Sequence, residues 1–452
     1  NQLTNPYIVP GGSNDLPGTF TGAMSRQNTI AEARWADRFD WVRWLGPGFV
    51  MAATAIGASH LVLAPTAGAL YGYSLLWLVM FAHVFKYPAF DFGPRYAVAT
   101  NSTLLDGYAR VPGPRNWALW TFLLGTVVQG VTVLAGVLSV AAVVARAVVP
   151  ELSLVAWSAG IAGLGAVVLW SGRFSGLSAA SKAMLTVLAI MTAIAFFARP
   201  PSPAIVIELV RPHLPIGSLV LAAAMLGWMP TGLDVSVWHS MWALERCDTW
   251  AERAGPGPEQ KRGVLAIALT DLRLGYGLSF VLAVMFLALG VAVLKPTGSV
   301  PQGGQVAVTI ARLYTDVLGG WALYPFLIAA FFGMTSTSFG VLDGFPRAFS
   351  GCVRRIALEP PSERSLFWGF LVFIVVLAML EIALLPDPVV LVTIAAVASF
   401  LLSPLTYALN YYCVTRHIEQ PNLQPGNFLR RWALFGIACA TAAAGLFLGV
   451  RF

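Results

Sequence analysis

Ile56-Gly57-Ala58-Ser59-His60 interrupts one long apolar run, and Gly227-Trp228-Met229-Pro230-Thr231-Gly232-Leu233-Asp234 interrupts another. Glycine frees the backbone and proline removes an N–H from the helical ladder. Each stretch therefore breaks a helix where an unbroken helix is the ordinary way across lipid. Runs of roughly 20 apolar residues, enough to cross the hydrocarbon core, recur from Gly46 to the C-terminus. Eleven spans are expected, near 46–68, 74–97, 117–147, 152–171, 179–198, 217–243, 264–294, 318–346, 365–385, 388–413 and 430–450. The interruptions fall in the first and the sixth. That offset of five is odd, so two five-helix halves (about 46–198 and 217–413) have opposite topology, and one extra helix (about 430–450) follows them. Interrupted helices at matching places in two halves mark the midplane site of a transporter.

Composition agrees with this all-α membrane architecture. Of 452 residues, 57% are hydrophobic and 11% charged, against about 25% charged in soluble proteins. A soluble enzyme is excluded. A membrane enzyme is not expected, because no nucleophile–base motif or nucleotide loop appears. The four cysteines (Cys247, Cys352, Cys413 and Cys439) form no paired motif and read as small apolar residues or free thiols. The net charge of +7 has a topological cause rather than a nucleic-acid partner. With the N-terminus inside, Arg34, Arg43, Arg110, Arg115, Arg246, Lys261, Arg347, Arg354, Arg416 and Arg430 fall on the cytoplasmic side, and few basic residues fall opposite. The C-terminus is then outside, and the compact loops point to a bacterial inner membrane. Residues 1–43 are polar, rich in Gly, Pro and Asn, and without an apolar stretch of signal-peptide type. They read as a flexible cytoplasmic tail ahead of one transmembrane domain, 44–452.

At the first break Ser59 is a good N-cap for a half-helix starting near His60. The free N–H groups of that half-helix carry partial positive charge into the bundle. Gly57, Ser59 and His60 are thus expected at the substrate. The competing reading is a glycine kink, with Ser59 bonded back to its own helix and His60 paired with a neighbour. At the second break Thr231-Gly232-Leu233-Asp234 resembles a capping box, with Thr at the N-cap and Asp at N3. Asp234 either closes that box or binds an ion, while Met229, Thr231 and Gly232 stand with the substrate. His239, further along the half-helix, faces a water-filled passage. Thr335-Ser336-Thr337-Ser338 sets four hydroxyls in a row within the eighth span. They either bond their own backbone or, at Thr337 and Ser338, supply the oxygens a coupling sodium ion needs. No other cofactor is expected. In the second span, which carries His83, Lys86, Tyr87, Asp91 and Arg95, Asp91 and Arg95 are spaced to pair on one helix face. They and the Asp271–Arg273 region read as a salt-bridge network closing an inner gate. His83, deeper, either relays protons or is structural.

The stretch from Gly46-Pro47-Gly48-Phe49 to Ala67-Gly68-Ala69, then Tyr71-Gly72-Tyr73-Ser74-Leu75-Leu76-Trp77, resembles the NRAMP family of metal-ion transporters. Weaker echoes lie at Ala224-Met225-Leu226-Gly227, His239-Ser240 and Leu342-Asp343-Gly344-Phe345, so the resemblance covers essentially the whole membrane region. It implies a LeuT-like fold with eleven or twelve helices and alternating-access transport across the lipid bilayer. The departure lies at the metal site. Where the family has Asp-Pro-Gly-Asn, this chain has Gly57-Ala58-Ser59-His60, and the family's Met-Pro-His is only partly echoed by Met229-Pro230-Thr231. The metal-binding carboxylate is absent from its usual place, and its role passes to no other residue. A divalent cation needs anionic or strongly dipolar oxygens to replace its hydration shell. Half-helix N-termini without that carboxylate suit an anion. The expected substrate is therefore a small inorganic anion, bicarbonate, coupled to sodium or protons. The alternative is a divalent metal importer in which His60, Met229 and Asp234 form a remodelled cage. Imidazole and thioether favour manganese over magnesium there.

Overall fold

The computed structural model describes residues 46–451, except 172, 173, 204 and 258. The expected N-terminal tail lies outside the described residues, which are helical throughout and contain no strand. In chain order the helices that build the site are α1 (Pro47–Ala55), a π-helical turn (Ser59–Leu63) leading into α2 (Ala64–Tyr71), α3 (Leu76–Thr100), α4 (Leu104–Tyr108) and α5 (Trp117–Arg146). There follow α6 (Leu154–Ser171), α7 (Phe174–Ala198), α8 (Ile205–Glu208), α9 (Leu219–Trp228), α10 (Val235–Ala254) and α11 (Gln260–Leu289). The last are α12 (Val306–Leu318), α13 (Leu323–Ile356), α14 (Glu363–Leu384), α15 (Pro388–Arg416) and α16 (Asn427–Arg451). Every expected span overlaps a helix. Among the described residues, eight helical stretches are long and apolar enough to cross a membrane, and the first runs from Ser59 to Thr100. Two shorter apolar helices, Ala183–Ala198 and Leu219–Trp228, fall below that length.

The packing places both interruptions at the centre. Helix α5 packs on α13 and α15, α9 on α15, and α3 on both α10 and α11, while α1 lies along α11. The apolar positions of these helices merge into one buried cluster that runs from Met51 to Phe447. Helices α14 and α16 instead leave Val376, Leu380, Phe435 and Leu446 exposed, as lipid-facing helices do.

The Gly46-Pro47-Gly48 motif has a specific task. Pro47 stands in the first turn of α1, where no N–H is needed. The Gly46 and Gly48 N–H groups donate to the Asp271 carboxylate at 3.1 and 2.6 Å. A Cβ at Gly48 would run into the Asp271 backbone carbonyl, so only glycine lets α1 meet α11 this closely. Asp271 is therefore a cap on the positive end of α1 rather than a partner of Arg273, which donates to the Tyr87 hydroxyl at 3.0 Å. Charge-assisted hydrogen bonds to a buried carboxylate are worth roughly 1.5–3 kcal/mol each. Asp271→Ala is expected to lower stability by about 2–4 kcal/mol, read as a fall in melting temperature. Arg273→Ala, at an exposed position, is expected to cost less than about 0.5 kcal/mol.

Asp91 and Arg95 do pair, Nε to Oδ1 at 2.6 Å, and the same guanidinium donates to the Leu423 carbonyl at 3.0 Å. On α4, burial alone would raise the Asp106 carboxyl, but Arg355 beside it and the Thr103 donors hold it below the usual carboxylate range.

Candidate functional site

The first break forms because the ladder stops after Ile56, whose N–H still reaches the Ala52 carbonyl at 2.8 Å. Ile56 and Gly57 then bend the chain before the π-helical turn. Thr337 packs so closely on Gly57 that an added Cβ would sit 2.9 Å from its Oγ1. Ser59 does not cap the second half-helix. Its hydroxyl is 2.9 Å from the Ala55 carbonyl and 2.9 Å from His60 Nδ1. Bonding to the last carbonyls of α1 suits a serine better here, since those carbonyls are the ones orphaned by the break. His60 is turned away from the break. Its Nε2–H donates to the Ser279 carbonyl on α11 at 2.9 Å, a bond whose acceptor fixes the proton on Nε2. His83 donates from Nδ1 to the Val79 carbonyl (2.8 Å), and its Nε2 lies 3.3 Å from Ser279 Oγ. Ser279 thus bridges two buried histidines. This is the arrangement foreseen as the alternative to substrate contact.

At the second break, α9 ends at Trp228 and α10 resumes at Val235. The expected capping box is not formed. Asp234 itself is the N-cap residue of α10 and makes no side-chain cap to N2 or N3, while Val235 and Ser236 N–H donate to the Gly232 and Leu233 carbonyls. The reason is register: the helix restarts with Asp234 at its N-cap, three residues after Thr231, so the Thr231 hydroxyl does not stand at a helix start. The Asp234 carboxylate folds back over Gly232, beside its own N–H and that of Val235. On the other side of the break, the ammonium of Lys86, from α3, donates to the Gly227 carbonyl at 2.7 Å and the Thr231 carbonyl at 3.2 Å. Lys86 is fully buried. The negative end of α9 is therefore answered by a lysine, and the positive end of α10 by an aspartate.

Between the breaks lies a cavity of about 40 Å³, lined by Thr54, Ser59, Thr231, Gly232, Asp234 and Thr337, with Trp228, Trp238 and Ser399 among the remaining walls. A water needs about 10–15 Å³ on this measure, so the space takes one small ion with little company and excludes an organic solute. Trp228 Nε1 donates to Ser399 Oγ (3.0 Å), which donates to Gln129 Oε1 (2.6 Å). Trp238 is buried, and its indole N–H has no protein acceptor. Of the expected site residues, Ser59, Thr231, Gly232, Asp234 and Thr337 meet at this cavity. His60 and Met229 are fully buried but do not line it, and Ser338 donates to the Met334 carbonyl of its own helix at 2.9 Å. The Thr337 hydroxyl donates to the Gly333 carbonyl at 3.1 Å from its place on the cavity wall. His239 is fully buried away from the cavity, with neither ring nitrogen hydrogen-bonded. Among the described residues, no three His, Cys, Asp or Glu side chains come together as a metal cluster. Lys86, Gln129, Ser279, Trp238 and Ser399 were not expected at the site. Gln129 and Ser399 had a usable signal, since each is a polar residue deep in an apolar span.

Two broken helices in a helical bundle, with an ion-sized space between them, are the architecture of a membrane transporter. The chain belongs to the Nramp family, described as natural resistance-associated macrophage protein-like, whose model matches residues 48–451. It is 28% identical over 406 residues to the uncharacterized protein PM0681 of Pasteurella multocida, spanning 86% of this chain and 88% of that one. It is 30% identical over 112 residues to the divalent metal cation transporter MntH of Chromohalobacter salexigens, a match that covers 22% of this chain and 26% of that one. The solved structure of the Eremococcus coleocola manganese transporter superimposes with a TM-score of 0.68 at 11% identity, over 94% of this chain and 87% of that one. The fold is thus LeuT-like, and the chain is a membrane transporter rather than an enzyme.

Proposed function

We propose that this Nramp-family transporter moves a small inorganic anion of the bicarbonate class through the cavity between the two breaks, driven by a sodium or proton gradient. The membrane is the bacterial inner membrane, with the N-terminus cytoplasmic and the C-terminus outside. The observation that carries this reading is Lys86 on the Gly227 and Thr231 carbonyls. A divalent cation at the second break would draw on those carbonyls and on Asp234. The lysine already holds the carbonyls, and its charge offsets that of Asp234. With the two charges offset, a divalent ion entering the cavity meets no net negative charge to replace its hydration shell. An oxyanion in the same space meets the Thr231 hydroxyl, and the indole N–H of Trp238 needs an acceptor.

The second reading is a divalent metal importer. It is favoured by the one carboxylate on the cavity wall, Asp234, and by the manganese and divalent-metal transporters to which the chain is similar. The two readings part in proteoliposomes. Labelled bicarbonate is expected to accumulate saturably, and manganese and cadmium are not. Saturable manganese uptake that Asp234→Ala abolishes establishes the metal reading instead. A sodium gradient is expected to drive uptake if Thr337 contributes to a sodium site, with Thr337→Ala weakening that dependence. A proton gradient that suffices alone, with Thr337→Ala unchanged, removes sodium from the account.

A further inference from the structure

We propose that Lys86 is a tethered coupling cation: its ammonium permanently fills a cation site made by the Gly227 and Thr231 carbonyl oxygens. The inference deepens the reading of the cavity as an ion site and does not depend on the sign of the transported ion. Gly227 lies in the last turn of α9, where carbonyls have no intrahelical donor and the helix end carries negative charge. Thr231 belongs to the unwound segment itself. In transporters built on broken helices, such freed carbonyls and half-helix C-terminal ends are what hold the coupling sodium ion or proton. Here both oxygens are taken by one nitrogen, at 2.7 and 3.2 Å.

The surroundings hold the oxygens in place. Gly227 is pressed against the Ala396 carbonyl of α15 with no room for a side chain, so α9 cannot slide along α15 without a clash. Lys86 comes from α3, which packs on both α9 and α10, and its stem crosses apolar core to reach the break. The opposite charge that acts on it through space is Asp234. Two carbonyls and a nearby carboxylate are an oxygen site for a small monovalent cation. A lysine supplies the same charge but cannot dissociate. No free cation is then taken up or released at this break during a transport cycle.

Removing the side chain is expected to expose the vacated oxygens. In substrate-free protein, the melting temperature of Lys86→Ala is expected to rise by about 3 °C or more between 1 and 100 mM sodium or methylammonium, beyond any response of the native protein. The double substitution K86A/D234N is expected to lose this response. Lys86→Ser serves if the alanine variant does not fold. Uptake of whichever ion the native protein carries, bicarbonate or manganese, is expected to fall at least about tenfold in Lys86→Ala and to recover with methylammonium. Lys86→Met, which keeps the stem and loses the charge, is expected to stay inactive. Retained transport in Lys86→Met, or alanine and serine variants no more cation-responsive than the native protein, overturns the inference. The melting experiment uses no transported substrate, so its failure leaves the anion reading standing. Absence of bicarbonate uptake by native protein defeats that reading alone.

Discussion

Asp234→Asn is expected to reduce uptake by about 100-fold and to destabilise the protein. Asp234 is the one acidic group on the cavity wall and the opposite charge acting on Lys86. Two unit charges several ångströms apart at an effective dielectric constant near 20 attract by about 3 kcal/mol, which is roughly 100-fold in an equilibrium. Without the carboxylate, a buried ammonium faces only dipoles, and breaking one partner of a buried charge pair is strongly destabilising. The positive end of α10 also loses its anion. Adding Lys86→Met to Asp234→Asn is expected to restore the melting temperature without restoring uptake, because it removes the unpaired charge but not the vacancy in the site. Radiotracer uptake and thermal unfolding of the two variants check this. A single variant that transports normally shows that Asp234 does no more than end a helix.

Gly227→Ala is expected to be nearly as damaging through packing alone. The new Cβ would overlap the Ala396 carbonyl oxygen and crowd Phe400 Cβ. Both obstacles belong to α15, which is packed against α5, α9 and α3. Helix α9 must move instead, and its Gly227 carbonyl leaves Lys86. Overpacking of this kind costs about 1–3 kcal/mol, and more when backbone must shift. The expected result is a stability loss near the top of that range, with uptake lost in whatever protein folds. Gly163→Ala on α6 is the matched control, since nothing lies within 4 Å of its added Cβ. It is expected to behave as the native protein in expression, melting and uptake.

Much of the architecture was legible because it follows from lipid. A hydrocarbon core leaves helix as the only local answer for these apolar runs, so their length and spacing carry the fold. The two breaks were legible for the same reason, since Gly57 and Pro230 cannot be continued silently in such helices. The local chemistry of the breaks was less legible. Ser59 had two possible partners along the chain, an N–H donor ahead and a carbonyl acceptor behind, and a hydroxyl chooses between a cap and a back-bond by which orphaned group lies nearer. The capping spacing from Thr231 to Asp234 was equally compatible with a helix that restarts three residues later, at Asp234. His60 looked like a ligand from its position in the tetrad, but a helical residue points its side chain where its rotation dictates, and that direction is towards Ser279.

The amino-acid order by itself determined that this chain is a bundle of membrane helices, that two of them are broken in matching halves, and that the usual metal carboxylate is missing from the first. Each of these is a property of residues close together along the chain. Only the tertiary structure decided which charge sits at the second break. Lys86 and the Gly227 carbonyl are 141 positions apart, and nothing in the run around either one names the other. A long flexible side chain on one helix finds the open end of another only when packing sets the distance between them.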